Sequence, residues 1–98
     1  MSEELTEDEL DLIDARAGRA MAGPWEAFVE GRDHIGGDDF IRTGGLDDAA
    51  PDLYVSFAYP NNPGLLPAGS ADLDFIAASR QDVVRLVAEV RRLRALLT

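Results

Sequence analysis

The chain has 98 residues, which supports one modest core and leaves too little chain for a deep, enclosed active site as well. Its 19 acidic residues outnumber 9 basic ones, all arginine, and a net charge of −10 disfavours nucleic-acid binding, which needs a positive face. Cysteine is absent, which excludes disulfides and thiol chemistry, and the lack of a bilayer-length apolar run beside an acidic N-terminus points to a cytoplasmic protein without membrane contact.

The first element is announced by "LTEDEL". Thr6 can cap a helix and Glu9 can close a capping box, with Leu5 and Leu10 at the staple positions. Early carboxylates suit the positive end of the helix dipole. The helix is expected over residues 5–21, with Leu10, Ile13, Ala17 and Ala20 facing inward. "AGP" at 22–24 stops it.

Strands are expected between residues 24 and 60. "WEAFVEG" alternates, with Trp25, Ala27 and Val29 on one face. "DDFIRTGG" is a second strand, reached through the hairpin loop "DHIGG". "DLYVSFAY" is a third, placing Leu53, Val55, Phe57 and Tyr59 on one face. Short connections make these an antiparallel meander. Residues 61–69, rich in proline and glycine, read as an irregular loop.

A helical region follows over 70–97, with Ser70 as its cap. Asp82 can cap a second segment, so this region reads as one helix or a helix pair. In heptads, Ile76, Ser79, Val83, Leu86, Val90, Leu93 and Leu97 occupy the a and d positions. From Val83 onward the pattern favours two-stranded pairing, and Glu89 and Arg94 have the spacing of an interhelical ion pair in a parallel dimer. The same stripe also suits covering the chain's own sheet. The fold class is therefore α+β: an N-terminal helix, a three-stranded antiparallel meander and a C-terminal helical region with coiled-coil character, in a single domain over 1–98.

Catalytic chemistry finds little purchase. The one histidine, His34, lies in a turn beside Asp33, and no Gly-x-Ser-x-Gly elbow exists. The pairs Asp38-Asp39 and Asp47-Asp48 follow turn chemistry rather than a calcium-loop spacing. No enzyme activity, cofactor or metal is expected. The Gly44-Gly45 pair beside Arg42 can form an anion-binding nest, although ordinary hairpin glycines in a strand connection are the simpler explanation.

"GPWEAF", "GGDDFIRTGG", "DLYVSF" and "ADLDFIAASRQDVVRLVAEVRRLRALL" resemble a group of small uncharacterised actinobacterial proteins. The Gly-Pro-Trp element and the "DFIA" helix also resemble the "ead"-like early accessory proteins of lambdoid phages. The resemblance implies prophage or mobile-element cargo, which inhibits or sequesters host molecules.

Two expectations follow. One is a non-catalytic homo-oligomer, joined through Ile76, Val83, Leu86, Val90, Leu93 and Leu97. It would sequester a small, nucleotide-like anion at Trp25, Arg42, Gly44, Gly45 and Arg80. The alternative is an acidic inhibitor or adaptor presenting Glu3, Glu4, Glu7 and Asp8 to a basic host protein.

Overall fold

The computed structural model describes residues 4–98; Glu3 lies outside the described residues. In chain order the elements are α1 (Glu7–Arg19), β1 (Glu26–Phe28), β2 (Phe40–Arg42), β3 (Asp52–Leu53), β4 (Ser56–Ala58), β5 (Leu65–Pro67) and α2 (Ser70–Leu96). The expected α+β architecture is present.

Helix α1 begins as its sequence dictates. The Thr6 hydroxyl accepts from the Glu9 N–H, and the Glu9 carboxylate accepts from the Thr6 N–H, each at 3.0 Å. Leu10 is fully buried and Ile13 and Ala17 are half-buried, whereas Ala20, expected inside, is exposed at the C-cap.

Strands β1, β2 and β3 form an antiparallel sheet in chain order. Ala27 and Leu53 flank Ile41 in register, so all three point to one face. Ile41 is completely buried there and clusters with Ala68, Leu73 and Ala77. Trp25, Val29, Val55 and Ile76 pack around this cluster. The opposite face carries a ladder of rings: Phe28 stacks on Phe40 at 5.3 Å, and Tyr54 follows at 5.9 Å.

The third expected strand is shorter than its alternation implied. Leu53 and Val55 pack on the core, but Phe57 and Tyr59 do not follow them. The chain leaves the sheet after β3 and β4 pairs antiparallel with β5, inside the stretch that reads as a loop. The turn between them is closed by the Asn62 N–H on the Tyr59 carbonyl and by the Gly64 N–H on Asn62 Oδ1. Prolines punctuate the ribbon without preventing it, because a two-stranded ribbon consists of edges. Every residue of β4 and β5 is exposed.

Helix α2 is continuous for 27 residues, about 40 Å. Gly69, not Ser70, is its N-cap, and no side chain caps it; Asp82 lies within the helix and caps nothing. Arg32 ties the β1–β2 loop to its first turns by gripping Asp74 with both terminal nitrogens, at 2.8 and 2.9 Å. That grip holds the Asp74 carboxyl below its ordinary range.

Helix α1 lies antiparallel against the C-terminal half of α2, with Leu10 and Val87 buried and ion pairs along the exposed edge. Arg91 reaches both Asp11 and Asp14, and Arg94 pairs with Glu7 at 2.9 Å. The molecule is elongated, 53 × 37 × 23 Å, with a radius of gyration of 17.0 Å. A compact chain of this length has a radius of about 13 Å.

Candidate functional site

The turn between α1 and β1 gathers four of the five expected site residues. The indole N–H of Trp25 donates to the carbonyls of Met21 and Ala22, at 3.2 and 3.1 Å. Arg80 Nε donates to the same Met21 carbonyl at 2.8 Å. The Gly44 N–H donates to the Ala22 carbonyl at 2.7 Å. Gly45 sits so close that a Cβ there would lie 2.9 Å from the Gly23 carbonyl oxygen.

These contacts answer whether the glycine pair is an anion nest. The Gly44 N–H, which a nest would aim at a ligand, already has a protein acceptor. Positive φ angles of 77° and 62° let Gly44 and Gly45 curl under the Gly23-Pro24 turn, a conformation and proximity that a side chain resists. Their role is to join two loops. Arg42 is not part of the cluster. Its neighbour Ile41 faces the core, so Arg42 points to the opposite face, with its guanidinium 4.7 Å above the Phe28 ring.

Gln81, which sequence reasoning missed, holds the turn to α2. Its Oε1 accepts from the Trp25 N–H and its Nε2 donates to the Trp25 carbonyl, both at 2.9 Å. The side-chain amide thus stands in for a strand partner. A single glutamine on a helix gives no sequence signal for this. Gln81→Leu leaves both backbone groups unpaired and is expected to cost about 2 kcal/mol. In thermal denaturation this should read as a drop of roughly 10 °C.

Between α1 and α2, beside this turn, an apolar groove of ≈480 Å³ opens. Ile13 and Ala17 form one wall, Phe75, Ile76 and Val83 the other, and Trp25 one end. Its only charged liners are Arg16 and Arg80. Arg16 makes no ion pair among the described residues. The groove could not be read from sequence, because its two walls are some sixty residues apart in the chain.

One member of each acidic pair accepts from a loop backbone N–H. Asp39 accepts the Glu30 N–H at 2.7 Å, and Asp47 accepts the Ala49 N–H at 3.0 Å. Among the described residues no three His, Asp or Glu side chains converge as a metal set. His34 bonds the Gly36 carbonyl through Nδ1 and leans on Phe40.

The expected oligomer seam divides in two. Ile76 packs on the chain's own core, and Val83 and Val90 are half-buried. Leu86, Leu93 and Leu97 are 63%, 49% and 86% exposed. Within the single chain Glu89 pairs with Arg92 on the same helix, and Arg94 with Glu7. Comparison with protein-family models, curated proteins and solved structures finds no match to this chain.

Proposed function

We propose that this chain is a non-catalytic, self-associating binding protein that pairs through the C-terminal half of α2 and sequesters a small anionic ligand. The observation that carries the reading is an excess of exposed surface. The chain exposes 7365 Å², whereas a compact monomer of 10.6 kDa exposes about 5,500 Å². The difference, roughly 1,900 Å², is more than twice the about 800 Å² that each partner buries in a standard interface. Part of the exposed apolar surface lies on one stripe, where Leu86, Leu93 and Leu97 follow heptad spacing along about 17 Å of α2; the rest, Ile35, Leu46 and Phe75 among it, is spread over other elements.

The resemblance to phage early accessory proteins supports sequestration rather than turnover as the role. The acidic-adaptor alternative has less support. Glu7, Asp11 and Asp14 are engaged by Arg94 and Arg91, so part of the acidic face is neutralised within the chain. Among the described residues no helix is long and apolar enough to cross a membrane.

Association linked to folding makes stability depend on concentration. The thermal midpoint is expected to rise steadily over a hundredfold range of chain concentration. A midpoint that stays constant over that range removes the assembly reading.

A further inference from the structure

We propose that the α1–α2 groove binds a medium-chain aliphatic carboxylate, with its chain along Ile13, Ala17, Phe75 and Val83 and its head group against Arg16. This deepens the ligand-binding half of the reading above and rests on it. The groove names its ligand by what its walls offer and what they lack.

The walls offer apolar surface. Phe75 stands at the rim with 75% of its area exposed, a large aromatic with no cover from this chain. The wall on α2 runs from Phe75 to Val83, eight residue steps, or about 12 Å. An extended chain of roughly ten carbons, each advancing about 1.3 Å, has that length. The volume of ≈480 Å³ falls within the range of small-molecule sites. A partner helix needs a longer trough.

What the walls lack is a way to read a polar body. The one hydroxyl in the lining, Ser79, donates to the Phe75 carbonyl of its own helix. The indole N–H of Trp25 is spent on Met21 and Ala22. A nucleoside placed here would lose hydrogen bonds to water without replacing them, a cost that rejects it. These walls suit a ligand with an apolar body better than a nucleoside.

Charge fixes the head group. In a chain of net charge −10, the only two charged side chains lining the groove are arginines. Arg80 uses Nε to hold the Met21 carbonyl, and its terminal nitrogens carry no bond among the described residues. Among the described residues Arg16 has no carboxylate partner. Seven carboxylates crowd residues 1–14, yet none of those among the described residues lines the groove. A neutral or cationic amphiphile gains nothing from this arrangement, whereas a carboxylate matches the guanidinium fork.

Trp25 is the only tryptophan and lies at the groove, so its emission reports occupancy directly. The probes are decanoate, decanol and decyltrimethylammonium, all at sub-millimolar concentration. Decanoate is expected to give a saturable change at one per chain, about fivefold tighter than decanol, with no saturable response to the cation. Arg16→Gln should erase most of that preference for the acid while leaving decanol binding in place. Ala17→Leu, which fills the floor, should weaken both ligands. Equal affinity for acid and alcohol, or an Arg16→Gln variant with unchanged preference, overturns the proposal. So does the absence of any response.

The same titration on the Leu86→Glu, Leu93→Glu variant separates this inference from self-association. Saturable decanoate binding by both proteins supports the groove whatever their masses. A response in the variant alone would mean that a second copy fills the groove in the assembled protein, and the ligand assignment fails.

Discussion

Replacing Gly45 with alanine is expected to destabilise the fold by about 3 kcal/mol, a large part of the 5–15 kcal/mol that holds a small domain together. Two costs combine. Gly45 has φ of 62°, in the left-handed region, where a Cβ costs roughly 1–2 kcal/mol. The new methyl would also stand 2.9 Å from the Gly23 carbonyl oxygen and 3.1 Å from Pro24 Cδ. Neither neighbour is the end of a flexible side chain, so the two loops must part. The bond from the Gly44 N–H to the Ala22 carbonyl is strained with them.

Gly36→Ala provides the control. Its φ is 80°, but nothing lies within 4 Å of the added Cβ, so only the conformational cost remains. Urea midpoints should fall for both variants and fall at least twice as far for Gly45→Ala. Equal shifts would mean that the two loops do not meet.

The second large effect concerns assembly. Changing Leu86 and Leu93 together to glutamate puts two charges into the centre of the proposed seam. Burying an unpaired charge costs several kcal/mol, so the double variant should remain single at concentrations where the unchanged chain is paired. Its fold should persist, because both side chains are exposed in the single chain and neither belongs to the core cluster. Arg85→Glu, on the polar side of the same helix, should leave association intact. Circular dichroism keeps the comparison fair, since an unfolded variant loses its helical signal and a separated one does not. A double variant that still pairs would move the seam elsewhere.

The parts of this fold that were legible in the sequence are those settled locally. The Thr6–Glu9 box spans four residues and forms as written. The meander follows from alternation joined by short turns, and the face carrying Trp25, Ala27 and Val29 is the one that packs on the core. Alternation failed after Val55 because period two does not say which partner a strand chooses; Ser56, Phe57 and Ala58 left the sheet for β5. Ser70 and Asp82 looked like caps because capping residues carry the same signal in helix interiors. The apolar spacing of Ile76, Val83 and Val87 kept α2 continuous instead.

The candidate site was legible in its members and not in their roles. Trp25, Gly44, Gly45 and Arg80 do come together, yet they bind each other's backbone. Arg42 was misplaced because adjacency in sequence puts strand neighbours on opposite faces. Gln81 and Arg16 gave no signal. Gln81 acts through a tertiary neighbour, Arg16 stands beside a groove whose far wall is distant in sequence, and a lone polar residue on a helix looks the same whether it meets water or a loop. The charges of α1 show the same limit: their sum was plain, but the pairing of Asp11 and Asp14 with Arg91 spans nearly the whole chain.

Sedimentation equilibrium at micromolar concentration weighs the account most directly, since it asks whether one chain can leave the α2 leucines bare. Twice the 10.6 kDa of a single chain, or a higher multiple, is the predicted mass. A mass of one chain, unchanged as concentration rises, would contradict it.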